Sequence, residues 1–100
     1  SGKYQIIYWR DIPSQIKAKI GRKRLSKPLS DRFMQIIDAA AMQSGDTDTD
    51  DYLAQWRTSE WRPIEGDANA FLDGLVAQIE AEYSGQRLSH LVKAGGWETT

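Results

Sequence analysis

The first twenty residues carry two successive strand-type patterns, and this constrains the fold more than any other feature of the chain. Lys3 to Trp9 is rich in aromatic and β-branched residues, and both faces of its alternation are largely apolar: Tyr4, Ile6 and Tyr8 on one, Ile7 and Trp9 on the other. A strand that is apolar on both faces suits the centre of a sheet. Asp11-Ile12-Pro13-Ser14 then reads as a turn, because proline presets φ and a short carboxylate bonds its own backbone. From Gln15 to Ile20 the alternation is clean, with Ile16, Ala18 and Ile20 inward and Gln15, Lys17 and Lys19 outward. The two runs predict a hairpin whose outward lysines also discourage edge-to-edge pairing.

Beyond Ile20 the period changes. Gly21-Arg22-Lys23-Arg24 reads as a basic loop leading through Pro28 to Ser30, an N-cap residue followed by Asp31 in the favourable first turn. Phe33, Ile36, Ile37, Ala40 and Ala41 share one helical face, and Gly45 stops the helix. After the acidic connector Asp46-Thr47-Asp48-Thr49-Asp50-Asp51, Tyr52 to Arg57 reads as a third strand; a short helix capped by Thr49 or Asp50 is the alternative. Thr58 to Gly66 reads as irregular or briefly extended. Asp67 caps the longest helix, in which Phe71, Leu72, Leu75, Val76, Ile79 and Tyr83 keep a 3–4 spacing until Gly85 breaks it. Leu88, Leu91 and Val92 allow one further short helix. The expected fold is α+β: a small antiparallel three-stranded sheet in β-β-α-β-α order, with two main helices on one face.

One hundred residues supply one core, so a single domain is expected over residues 3–97, with a helical C-terminal part over 67–94. Ser1-Gly2 reads as the remnant of a cleaved tag. Without a cysteine, the chain can form no disulfide, zinc-thiolate site or thiol nucleophile, and packing must stabilise it. No apolar run approaches the roughly 18 residues of a membrane span, and the cytoplasm is the expected location.

Charge is unevenly placed. Residues 1–30 hold eight basic side chains against Asp11 alone, net +7, and residues 31–100 hold five basic and thirteen acidic, net −8. Such a split means either segments that pair within the fold or a basic face for an anionic partner. Lys17, Lys19, Arg22, Lys23 and Arg24 form the basic edge in question, with phosphate or nucleic acid as its functional reading. Three of the four tryptophans precede arginine directly: Trp9-Arg10, Trp56-Arg57 and Trp61-Arg62. Indole faces attract guanidinium groups, and both residue types are enriched at binding hot spots. Trp9, Arg10, Arg57, Trp61 and Arg62 are therefore the candidate partner-binding residues. On a strand, neighbouring side chains point apart, so Trp9 and Arg10 are not expected to stack on each other; Trp9 would instead meet Arg57 or Arg62 across strands. The structural alternative puts Trp9 and Trp56 in the core with their arginines in solvent. Trp61, beside Pro63, is expected to be exposed, and Trp97 to be a core lid or part of an interface. Exposure of both would favour a homodimer.

Sites with a defined chemistry do not emerge. Asp46, Asp48 and Asp50 resemble the start of a calcium loop, but Asp51 stands where glycine is required and Arg57 where glutamate is. His90 is the only histidine and has no cysteine companion, so it reads as a structural or surface residue. No metal site, cofactor or catalytic residue is assigned.

The opening Lys3-Tyr-Gln-Ile-Ile-Tyr-Trp-Arg-Asp-Ile-Pro13, the basic strand after it, Arg32-Phe33 with Ile37-Asp38-Ala39-Ala40, and Asp51-Tyr52-Leu53 followed by Trp56-Arg57 carry a family signature. Over roughly residues 3–65 the chain resembles the small bacterial "virulence factor" domain family, stand-alone relatives of a segment of conserved virulence factor C proteins. That resemblance implies no catalytic residue. It implies an accessory subunit near folate- or corrinoid-dependent one-carbon enzymes. Three functions follow, in descending order of support: a non-enzymatic module docking a larger protein; binding or minor catalysis of a small anionic aromatic such as a pterin or folate; and nucleic-acid binding.

Overall fold

The computed structural model describes residues 2–45 and 48–98. Their order is β1 (Gly2–Trp9), β2 (Ile12–Ile20), β3 (Lys23–Pro28), α1 (Asp31–Ser44), α2 (Thr49–Ala54), β4 (Trp56–Thr58), β5 (Arg62–Ile64), α3 (Ala68–Glu82) and α4 (Gly85–Lys93). The fold is α+β, and its antiparallel sheet has five strands rather than three. β1 is central as expected: β2 pairs along one side, while β4 and β5 pair in succession along the other. β3 closes the far edge against β2.

Each departure from the sequence pattern has a local cause. The first turn is Arg10-Asp11, not Asp11–Ser14, because Trp9 already faces Ile12 across the hairpin. Arg10 takes φ 55°, a left-handed conformation that costs a non-glycine residue about 1–2 kcal/mol. Ile12, Pro13 and Ser14 belong to β2, and Ser14 is the extra residue of a bulge where the register shifts between Ile7 and Tyr8. Its hydroxyl donates to the Ile7 carbonyl (3.1 Å) and its carbonyl accepts from the Leu29 N–H (3.0 Å). The basic segment after Ile20 is a second hairpin: Gly21, at φ 60°, and Arg22 turn the chain so that Lys23 faces Ile20. Tyr52–Arg57 divides between the two alternatives, with residues 49–54 helical and Trp56 opening β4. Asp48 is the N-cap of that helix. Gly85 opens α4 after the Ser84 cap instead of only ending α3, and Gly2 is a paired residue of β1. Asp46 of the acidic connector lies outside the described residues.

The caps explain the helix bounds. Asp67 accepts a hydrogen bond from the Ala70 N–H at 2.9 Å, and Gly45 stops α1 at φ 79°. Ser30 precedes α1 as expected, but its hydroxyl and N–H donate to the Glu80 carboxylate of α3 at 2.8 and 2.7 Å. Arg32 adds bonds to the same carboxylate and to the Glu80 carbonyl. Burial alone would raise the Glu80 pKa; the bonds from Ser30 and Arg32 outweigh it and hold the carboxyl below its ordinary value.

One core joins the layers. The sheet contributes Tyr4, Ile6, Ile16 and Ala18, α1 contributes Phe33, Ile37, Ala40 and Ala41, and Leu72, Ile79, Leu88 and Leu91 come from α3 and α4. Burying each large apolar side chain stabilises by about 1.5–3 kcal/mol. α1 packs on β2 and α4, and α3 reaches β2, β3 and β5. Lys3, Gln5, Lys17 and Lys19 alternate with the core residues and occupy the opposite face. Among the described residues, no helix is long and apolar enough to cross a membrane.

Candidate functional site

The five Trp/Arg candidates separate. Trp9 has no exposed surface and Arg10 is 8% exposed, so both sit inside the domain. They also stack, contrary to expectation: the Arg10 guanidinium lies 4.7 Å from the Trp9 ring centroid and 5.3 Å from that of Trp97. Strand alternation does not govern this pair because β1 ends at Trp9 and Arg10 turns left-handed. The Trp9 indole N–H donates to the Tyr52 carbonyl (2.9 Å), and its ring stacks on Tyr52. Arg10 Nη1 donates to the Gly95 carbonyl at 2.6 Å and its Nε to Gln55 Oε1 at 3.3 Å. The turn is sealed by Arg10 N–H to the Gln55 carbonyl and Asp11 N–H to the Gly96 carbonyl. Arg10 thus ties the first hairpin to α2 and to the C-terminal turn, which offsets its backbone strain. Trp56 is half-buried, facing Trp9 across the ladder.

Arg57, Trp61 and Arg62 remain at the surface. Arg57 crosses to the hairpin turn, where Nε donates to the Arg10 carbonyl (2.9 Å) and Nη2 pairs with Asp11 (3.1 Å). Its guanidinium covers Tyr8, its cross-strand neighbour, at 4.5 Å. Arg57 and Arg62 line a groove of about 500 Å³ with Tyr8, Asp11, Tyr83 and Glu98. The Tyr83 hydroxyl there is shifted up by burial, against the opposing effect of Arg87, which stacks on its ring and pairs with Glu98. The register sets Arg57 opposite Tyr8 and Arg62 opposite Tyr4, while Trp9 faces Trp56. Trp61 is 45% exposed and looks onto the open sheet face, with Lys3 Nζ 4.9 Å from its ring centroid.

The basic edge also divides. Lys17, Lys19 and Arg24 share the open sheet face, Arg22 is at the hairpin turn, and Lys23 faces Ile20. The internal-pairing reading of the charge split holds for Lys27, which reaches Asp73 at 3.3 Å. It does not hold for Lys17, Lys19, Arg22, Lys23 and Arg24, which make no ion pair among the described residues. Lys3, Gln5 and Ser26 join the open face without having been singled out from the sequence. The signal for Lys3 was present in the hairpin, which sets it opposite Lys19, but reading it required the correct turn. His90 is exposed on α4 and borders a hollow of about 290 Å³ beside Arg87 and Trp97.

These features define a small α+β domain with one sheet face packed under helices, one open cationic face, and an arginine-locked hairpin at the end of its central strand. The chain belongs to the virulence factor family, whose model matches residues 7–92 and so extends the resemblance through α3 and most of α4. No curated protein and no solved structure matches it.

Proposed function

We propose that this domain is a non-enzymatic accessory module that docks a larger protein along the β4–β5 edge. The observation that carries the reading is Trp61: its indole stays 45% exposed next to exposed Arg62, although the domain buries Trp9 completely. Tryptophan and arginine are among the residue types most enriched at interface hot spots. Arg57 extends the same edge, and Trp9 and Arg10 act from inside by holding the hairpin that presents it. The partner class is the one the family resemblance implies, a folate- or corrinoid-dependent one-carbon enzyme.

The test is affinity capture from nuclease-treated native cytosol, comparing the wild-type chain with Trp61→Ala and Arg62→Glu. One protein recovered near 1:1 with wild type, and lost with both variants at unchanged circular dichroism and melting temperature, is the expected result. Equal recovery by the folded variants would overturn the site.

A further inference from the structure

The open face of the sheet has a composition that stability does not explain. The register sets Lys3 opposite Lys19 and Lys19 opposite Arg24, so three cations stand in one row across β1, β2 and β3. The neighbouring row is Gln5, Lys17 and Ser26. Like charges directly opposite each other destabilise a sheet. Several cations elsewhere do have acidic partners, as at Lys27–Asp73, Arg32–Glu80 and Arg87–Glu98. Here Lys17, Lys19 and Arg24 have no ion-pair partner among the described residues, and none of the described residues lining the face is acidic. Trp61 stands at its side, joined to the row through Lys3. The groove measures about 530 Å³, the size of ordinary small-molecule sites (roughly 300–1,000 Å³).

We propose that this groove binds a planar heteroaromatic ring carrying a short chain of two or more anionic groups. Trp61 provides one stacking platform for the ring. The Lys3–Lys19–Arg24 row, with neighbouring side chains about 5 Å apart at Cβ, provides successive contacts for the anions, and Lys17, Gln5 and Ser26 add donors beside it. Charge-assisted bonds of this kind are the strong ones, and an anion here also relieves the repulsion within the row. A single indole and a groove of this volume suit one ring. An extended nucleic-acid strand calls for successive aromatic platforms. The site shares Trp61 with the proposed docking edge, but Lys17, Lys19 and Arg24 lie on the other side of β1, so the Lys19→Glu/Arg24→Glu variant tests the groove apart from the docking.

The experiment is amide and indole NMR of the full ¹⁵N-labelled chain at low salt. The probes are adenosine triphosphate and pteroyltriglutamate, with adenosine, inorganic tripolyphosphate and a short oligothymidylate as separate arms. The expected result is saturable shifts of the Trp61 indole and of the Lys17, Lys19 and Arg24 amides with at least one of the two ring-plus-anion probes. Affinity should fall about tenfold or more in a Lys19→Glu/Arg24→Glu double variant, the scale of a lost charge-assisted bond. Trp61→Leu should weaken those probes without changing tripolyphosphate binding. No shifts with either ring-plus-anion probe would overturn the proposal. So would tripolyphosphate or adenosine binding as tightly as the parent compounds, or oligothymidylate binding more tightly than both.

Discussion

The C-terminal turn against Trp9 offers a test that separates backbone strain from packing. Gly96 has φ 97°, and a Cβ there would lie 2.9 Å from Trp9 Cζ3 and 3.2 Å from Arg10 Cδ. Trp9 has no exposed surface into which it could swing. Gly96→Ala therefore combines a strained backbone, about 1–3 kcal/mol, with overpacking of about 1–3 kcal/mol. The total is about 2–6 kcal/mol, against the ~5–15 kcal/mol that stabilises a typical domain. Gly45 is the control: its φ is 79°, but a Cβ there meets nothing within 4 Å. Gly45→Ala should cost only about 1–2 kcal/mol. At about 4–8 °C per kcal/mol for a domain of this size, Gly96→Ala should melt well below Gly45→Ala. Urea unfolding followed by circular dichroism and by tryptophan fluorescence measures both. Equal losses, within about 0.5 kcal/mol, would refute the contact between the C-terminal turn and Trp9.

Three further outcomes follow from the same contacts. Glu80 has its pKa held below the ordinary 4.5 in the fold, so its stabilising contribution is complete above that value and is lost as pH falls through the lower folded one. Glu80→Gln should therefore lower stability at pH 7 and flatten its decline under acid, as read by melting curves across pH. Arg10→Lys keeps the charge but loses the flat stack between Trp9 and Trp97 and the fixed bond to Gly95, costing about 1–3 kcal/mol in chemical unfolding. Asp73→Asn removes a partner that is 70% exposed from Lys27, and its effect should stay within about 0.5 kcal/mol in the same assay.

Elements whose pattern is internal to a short window were legible in the residues. The core faces of α1 and α3, the Asp67 cap, the Gly45 stop and the central position of β1 all follow from side-chain period and terminal chemistry. Trp61 was legible as exposed because Pro63 and its polar neighbours offered it no apolar run to join. β3 was not, since Lys23-Arg-Leu-Ser-Lys-Pro28 has the charged, proline-ended composition of an edge strand, which resembles a loop until a partner is known. β4 and β5, three residues each, are strands only because β1 offers them its second edge.

The candidate site divides along the same line. Residue types come from the chain: tryptophans beside arginines, and a basic first third opposed to an acidic remainder. Which of them face solvent was decided by long-range contacts, because one left-handed residue at Arg10 redirected the guanidinium into a sandwich closed by residues 95–97, more than eighty positions away. The cationic row likewise exists only through register, since Lys3, Lys19 and Arg24 become neighbours once two hairpins close. Local periodicity is a property of the chain and can be read from it. Burial and charge proximity are properties of pairs distant in sequence, and the tertiary structure alone determines them.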